Sequence, residues 1–258
     1  MRQEAYFCTV KELDELGKNN IPRQLISHTH LIYSSPATLA FNSPGAEGFG
    51  VKRAGLAVPD SVMLIVSPGC CGRNTSVLSS MRAYQDRFYY LLMDETDIVT
   101  GRHLKKIPKA VAEICEGLKK KPSVVMICIT CVDALLGTDM ERVCHKAEEY
   151  AGVPVRPCYM YALTREGRKP PMVHVRQSVY SLLEPKKKKG NVVNLLGYFS
   201  PLTDDCELYD LLHGAGVKTI HEISRCKDYA QYQTMSEANF NLVLHPEARF
   251  AAEDFHDR

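Results

Sequence analysis

Short apolar segments rich in β-branched residues alternate with amphipathic helical patterns along most of this 258-residue chain. The segment SVMLIV (61–66) lies between two proline-containing turns, and the segment SVVMICIT (123–130) is a second apolar run of the same kind. Apolar runs of this length, bounded by turn residues, are typical of buried strands. Because strands that alternate with helices form parallel sheets covered by helices, the sequence predicts an α/β fold with Rossmann-like parallel sheets.

Three helices are predicted between these strands and after them. The first covers 75–93, the second 107–121 and the third 138–152, which is followed by the extended run 153–160. In the first helix, the apolar residues at helical spacing are Val77, Leu78, Met81, Tyr84 and Phe88. Asn74 or Thr75 is its expected N-cap.

The clearest boundary is the segment LLEPKKKKGN (182–191). Its four lysines fit a solvated linker, with a basic contact patch as the alternative. We therefore predict an N-terminal α/β domain over 1–185, a Lys-rich linker over 186–191 and a second α/β domain over 192–258. The second unit has about three predicted strands and ends in a helical pattern, so we expect either that it is incomplete or that a natural partner of this surface is absent.

Composition and charge limit the function classes. The formal net charge is +2 with basic and acidic residues interleaved, so nothing indicates a nucleic-acid partner. No signal-peptide pattern and no apolar run of about 18 residues occurs, so we expect a soluble, cytoplasmic protein without a membrane partner. The ten cysteines are then buried apolar thiols, redox thiols or metal ligands.

Two cysteine-bearing turns follow the two apolar strands. SPGCCGR places Cys70 and Cys71 after the first strand, and ITCVDALLG places Cys131 after the second. Ligands of open parallel sheets bind at the carboxyl ends of the strands, so Cys71 and Cys131 are expected at one edge if the strands are neighbours. Gly69 and Gly72 allow a bulky group to approach the backbone closely. Helix N-termini nearby favour negative charge, which an iron–sulfur cluster with thiolate ligands carries.

The residues alone leave alternatives open. Buried cysteines also act as small apolar side chains, which fits Cys115, Cys128 and Cys144. The pair Cys128 and Cys131 has C-x-x-C spacing but spans a strand end, which argues against a thioredoxin-like site. The acidic segment MDETDIVTG (93–101) is interpreted as a helix cap or loop, with a catalytic acid as the alternative. No nucleotide-binding glycine motif is present.

Three segments in this order resemble the nitrogenase component 1 family, which includes nitrogenase iron-protein partner subunits, cofactor-assembly scaffolds and dark-operative tetrapyrrole reductases. They are GCCG (69–72), DETDIVTG (94–101) and TCVDALLGTD (130–139). The resemblance covers most of 30–185 and, more faintly, the second unit. It implies that Cys71 and Cys131 bind an iron–sulfur cluster at a subunit interface. Cys70 has no secure counterpart in the family pattern and is an adjacent alternative ligand.

The resemblance also bears on the type of cluster. The family pattern has a further cysteine in a Gly-rich segment upstream, but NSPGAEGFG (42–50) contains none. Two copies of Cys71 and Cys131 in a homodimer would supply the four thiolates of a [4Fe–4S] cluster, which argues against an eight-iron cluster. His245 lies close to the position where some members bind their catalytic cofactor.

The implied function is a nitrogenase-like reductase subunit. Such a subunit accepts electrons from an ATP-dependent iron protein and pairs with a second copy or a paralogous subunit. A non-catalytic scaffold for cluster or cofactor assembly is the first alternative. A small-molecule-binding α/β domain with structural cysteines is the second.

Overall fold

The described part of the chain contains two parallel sheets flanked by helices, as the α/β prediction requires. This computed structural model describes residues 9–17, 19–20, 22, 50–69, 79–130, 132–133, 136–160 and 169–256. The first sheet has four strands in the order β2-β1-β3-β4, and the second has three in the order β6-β5-β7. The strands are β1 Val62–Ser67, β2 Phe88–Leu92, β3 Val125–Ile129, β4 Val155–Tyr159, β5 Lys189–Leu196, β6 Thr219–His221 and β7 Ala238–Val243.

The α-helices follow the predicted alternation in most places. They are α1 Val10–Leu16, α2 Gly50–Gly55, α3 Glu95–Thr100, α4 His103–Gly117, α5 Met140–Ala151, α6 Pro171–Tyr180, α7 Glu207–Gly214, α8 Tyr229–Gln233 and α9 Arg249–His256. Short 3₁₀ turns occupy Arg82–Tyr84, Ile223–Arg225, Thr234–Glu237 and Pro246–Ala248. In the part of the chain that the structure describes, no helix combines the length and the apolar character needed to cross a membrane.

The predicted helix over 75–93 is wrong at its C-terminal part, where Phe88–Leu92 forms strand β2. This strand pairs in parallel with β1, with Phe88 opposite Met63. A run of aromatic and leucine residues has high β propensity, and β2 is only partly buried, as expected for an edge strand. The helical spacing of Met81, Tyr84 and Phe88 is therefore accidental, and Val77 and Leu78 lie outside the described residues.

The two faces of the first sheet pack against different helices. Met63, Ile65 and their counterparts on β3 belong to one buried cluster, whereas Leu64 and Val66 belong to another. This division follows from the alternation of side chains along a strand. Helices α4 and α5 pack on each other over the second cluster, and α2 and α6 pack together on the opposite face.

The second sheet is joined to the first through a shared set of buried side chains. The cluster that contains Met63 continues through Tyr180 and Leu182 to Leu196 and Phe255, beyond β5. Lys189 and Gly190, which the sequence assigns to the linker, are the first residues of β5. The division into two domains with a linker over 186–191 stays a prediction.

Candidate metal centre

Strands β1 and β3 are immediate neighbours and run in parallel. Their register places Val66 opposite Ile129, so Ser67 and Thr130 follow in the same register at the carboxyl edge of the sheet. The sequence analysis expects Cys71 and Cys131 at one edge on the condition that these two strands are neighbours, and they are. Each of the two predicted cysteine turns begins within a few residues of this edge.

Most of the predicted site residues lie outside the described residues. They are Cys70, Cys71, Gly72 and Cys131. Gly69 is described and exposed, and a Cβ atom added to it would meet no other group within 4 Å. Space beside the backbone at Gly69 is consistent with the close approach that the sequence predicts there, although that role stays a prediction.

Two hydroxyl groups are buried at this edge without a hydrogen-bond partner. Ser67 is 0% exposed and Thr130 is 1% exposed. Among the described residues, neither Ser67 Oγ nor Thr130 Oγ1 has a partner. Buried polar groups are nearly always hydrogen-bonded, so two exceptions on adjacent strands at one edge require an explanation.

A buried histidine–carboxylate pair involves Asp133, two residues after Cys131 in the sequence. His103 Nε2 lies 2.8 Å from Asp133 Oδ1, and both side chains are almost completely buried. His103 Nδ1 lies 3.0 Å from the carbonyl oxygen of Asp97, which can only accept, so Nδ1 carries a hydrogen. Thr138 Oγ1 donates to the same carboxylate oxygen of Asp133 at 3.1 Å. The pair thus connects α4 to the segment that follows β3.

The carboxylate of Asp97 organises the N-terminal ends of α3 and α4. Asp94 is the N-cap of α3, and the side chains of Asp94 and Asp97 form a reciprocal capping box. This confirms the interpretation of the acidic segment as a helix cap. Lys106 Nζ and Arg102 Nε each lie 2.7 Å from an oxygen of the buried Asp97 carboxylate. Hydrogen bonds from Lys106 and then Arg102 lower the pKa of Asp97 well below its usual range.

His245 lies two residues beyond the end of β7, at the carboxyl edge of the second sheet. Its ring contacts Tyr198 edge-on at a centroid distance of 5.7 Å, and its Nδ1 accepts a hydrogen bond from the backbone N–H of Glu247. The Glu247 carboxylate lies 3.7 Å from the same Nδ1 atom. The edge position suits a ligand-binding residue, but the cofactor role of His245 stays a prediction.

Four described cysteines are buried in the two core clusters and behave as apolar side chains. They are Cys115, Cys128, Cys144 and Cys158. Burial raises the pKa of each of the thiols of Cys115, Cys144 and Cys158, which disfavours the thiolate form that metals bind. Within the described ranges, no group of three or more histidine, cysteine or acidic side chains is placed to hold a metal ion.

Sequence reasoning missed four polar residues at the edge: Ser67, Thr130, His103 and Asp133. The first two carry a weak signal, because each is a hydroxyl residue at the end of an apolar run. His103 and Asp133 are 30 residues apart, and nothing in one sequence indicates that they meet.

Parallel sheets flanked by helices define the class of α/β proteins, in which ligands commonly bind beyond the strand ends. Within that class, residues 47–258 match the nitrogenase component 1 type oxidoreductase family. The chain belongs to this family, which confirms the resemblance inferred from the three motifs.

Individual relatives are similar at lower identity. The nitrogenase iron-molybdenum cofactor biosynthesis protein NifE of Rhizobium meliloti (strain 1021) is 28% identical over 202 residues, which is 76% of this chain and 42% of the relative. NifE of Klebsiella pneumoniae is 26% identical over 222 residues, which is 78% of this chain and 48% of the relative. The chain thus spans a little less than half the length of these curated relatives.

The fold resembles solved nitrogenase structures. A structure described as nitrogenase Cp1 at pH 6.5 superimposes with a TM-score of 0.60 at 21% identity. The match covers 86% of this chain and 45% of that chain. At this identity the likeness establishes the α/β fold.

Proposed function

We propose that this chain is a metal-cluster subunit that binds an iron–sulfur cluster at the carboxyl edge of β1 and β3. Cys71 and Cys131 are the proposed ligands, and Cys70 is an alternative. The observation that supports the proposal is the adjacency of β1 and β3, the two strands that the cysteine turns follow in the sequence.

The described residues around this edge fit such a group. Ser67 Oγ and Thr130 Oγ1 are buried without partners in the described part of the chain, and both are donors. Thiolate and sulfide sulfur atoms are hydrogen-bond acceptors, so a cluster here would satisfy hydroxyls that are otherwise unpaired. When bound, the cluster supplies one-electron redox capacity, and the chain supplies ligands, burial and orientation.

The number of matched cysteines favours a cluster shared between subunits. One chain offers Cys71 and Cys131, whereas a [4Fe–4S] cluster takes four thiolates. A second copy of the chain, or a paralogous subunit, would supply the other two. A cluster contained within one chain would need Cys70 and a fourth ligand from another residue.

The relatives favour a role in cofactor assembly. The two relatives described above are named as cofactor biosynthesis proteins. Those names are the reason for preferring an assembly role over a reductase role. In such a role the chain would hold a metal cluster and release it to an acceptor protein. The candidate second function is that of a reductase subunit that accepts electrons from an ATP-dependent iron protein, which the oxidoreductase description of the family favours.

Iron and sulfide analysis of anaerobically prepared protein tests cluster binding. We expect about four iron and four sulfide per dimer after reconstitution with ferrous iron and sulfide, as for a shared [4Fe–4S] cluster. The Cys71→Ala, Cys131→Ala double variant should lose this iron. The matched control, Cys206→Ala with Cys226→Ala, removes two half-buried cysteines of the second unit and should retain it.

Two outcomes would decide against the proposal. A wild-type protein that stays colourless and iron-free would favour the small-molecule-binding alternative. A double variant that keeps full iron content would refute the ligand assignment.

A second experiment separates the two candidate functions. The reconstituted protein is mixed with an ATP-dependent iron protein and ATP, and cluster reduction is followed by electron paramagnetic resonance. Reduction that requires ATP supports the reductase role. Transfer of iron to an apo-acceptor protein without such reduction supports the assembly role.

A further inference from the structure

Ser67 and Thr130 are the polar side chains at the ends of β1 and β3, three or four residues before Cys70 and Cys71 and directly before Cys131 in the sequence. Their strands are paired, with Val66 opposite Ile129, so the two residues are neighbours at the sheet edge. Both are at most 1% exposed, and neither hydroxyl bonds to the other or to any other described group. A buried hydroxyl without a partner destabilises a folded chain, because it loses water and gains nothing in return.

Two backbone carbonyl oxygens beside these hydroxyls already have backbone partners. The carbonyl of Ser67 accepts from the N–H of Met93 at 3.0 Å, and the carbonyl of Ile129 accepts from the N–H of Met160 at 3.0 Å. These oxygens are therefore bonded to backbone donors, whereas the two hydroxyls have no partner among the described residues.

We propose that the Ser67 and Thr130 hydroxyls donate hydrogen bonds to the sulfur atoms of the cluster and raise its reduction potential. This inference rests on the proposed function, since it needs a cluster bound by Cys71 and Cys131. A hydroxyl donor stabilises negative charge on sulfur, and the reduced cluster carries one more negative charge than the oxidised one. Donors to the sulfur atoms are a recognised means by which proteins set cluster potentials.

The step measured is a one-electron reduction of the cluster by redox mediators at a controlled potential. Each hydroxyl keeps its proton throughout, and no covalent bond forms or breaks. The hydroxyls donate hydrogen bonds to the sulfur atoms and do not bind iron.

The test is a mediated redox titration of reconstituted wild-type protein and four variants. Ser67→Ala and Thr130→Val remove a hydroxyl with little change in volume and should lower the midpoint potential. Thr130→Ser keeps a hydroxyl at this position, so its midpoint potential should be closer to the wild-type value than that of Thr130→Val. Ser236→Ala is the matched control, because Ser236 is a buried, unpartnered hydroxyl in the second unit, at 3% exposure, and its removal should leave the potential unchanged.

Thermal unfolding with and without the cluster gives an independent readout. In chelator-treated protein, Ser67→Ala, Thr130→Val and Ser236→Ala should melt at or above the wild-type temperature, because each removes an unpaired buried hydroxyl. In reconstituted protein, only Ser67→Ala and Thr130→Val should lose part of the stabilisation that the cluster gives.

The outcomes separate this inference from the function on which it rests. Wild-type protein that takes up no iron overturns the proposed function and this inference with it. Full cluster content with unchanged potentials in Ser67→Ala and Thr130→Val overturns the hydrogen-bonding role alone. Loss of the cluster in these variants also overturns it, because that result would indicate that the hydroxyls act as ligands.

Discussion

His103 Nε2 lies 2.8 Å from Asp133 Oδ1, and the two side chains are 0% and 1% exposed. The contact joins the first residue of α4 to the segment that follows β3, across 30 positions of sequence. The pair therefore anchors Asp133, which lies two residues after the proposed ligand Cys131 in the sequence. It is a structural feature that can be tested without any bound metal.

Removal of His103 should destabilise the chain strongly. In His103→Leu, the buried carboxylate of Asp133 keeps only its bond from Thr138, and breaking such a buried pair costs about 3–5 kcal/mol. Urea unfolding of chelator-treated protein measures the loss. The Asp133→Leu variant and the His103→Leu, Asp133→Leu double variant complete a double-mutant cycle.

The double variant should be more stable than the sum of the single losses indicates, because no unpaired charged group is left in the interior. A coupling free energy below about 0.5 kcal/mol would contradict the interaction, since residues that share one buried network normally couple more strongly.

The stability of the chain should depend on Asp97 in acid. Its pKa is lowered by Lys106 and Arg102 in the folded chain, whereas the unfolded chain has the ordinary value near 4. Between these two values the unfolded chain binds a proton that the folded chain does not, so the free energy of unfolding falls as the pH decreases. The contribution is fully present above about pH 5.

Urea unfolding at pH values from 7 down to 3 checks this expectation. Asp97→Asn should reduce the stability near neutral pH and flatten its decline in acid. Glu15→Gln is the control, because Glu15 is an exposed carboxylate of α1. An Asp97→Asn variant with the same pH profile as the wild type would show that the ion pairs are absent in solution.

Arg176 should hold the two sheets together. Its Nε and Nη2 atoms donate to the carbonyl oxygen of Gly197 at 3.0 and 2.6 Å, and Nη1 donates to Glu247 at 2.7 Å. Arg176 is 4% exposed, so Arg176→Met would leave the Gly197 carbonyl and the Glu247 carboxylate without their main donor. We expect a loss of about 3 kcal/mol in the free energy of unfolding.

Arg176→Lys is the matched comparison. It keeps the charge but loses the planar fork, so it should recover only part of the loss. A destabilisation of less than about 0.5 kcal/mol in Arg176→Met, the range of ordinary surface changes, would exclude the bridging role.

The strands of the first sheet were predictable where the sequence has an apolar run bounded by turn residues. The runs 61–66 and 123–130 are apolar on both faces and bounded by turns, and they form β1 and β3 with shifts of one or two residues. The prediction failed at Phe88–Leu92, because its apolar residues fit a helical spacing as well as a strand. Pairing with β1, which lies about twenty residues earlier in the sequence, favours the strand over the helix for this segment.

The candidate site was predictable only in outline. Cysteine turns after two strands indicate an edge, and family motifs indicate a cluster. The burial of Ser67 and Thr130 without partners, and the meeting of His103 with Asp133, depend on how segments far apart in the sequence pack. Local sequence patterns do not predict such long-range contacts.

The parallel register of β1 and β3 has a consequence for insertions and deletions. One residue added inside either strand would displace the carboxyl end of that strand by about 3.3 Å relative to its neighbour and reverse the faces of the side chains that follow. The relative positions of Ser67 and Thr130 are therefore set by strand length, with Val66 opposite Ile129 as the reference pair. Length changes within these two strands should be tolerated far less than length changes in exposed surface turns.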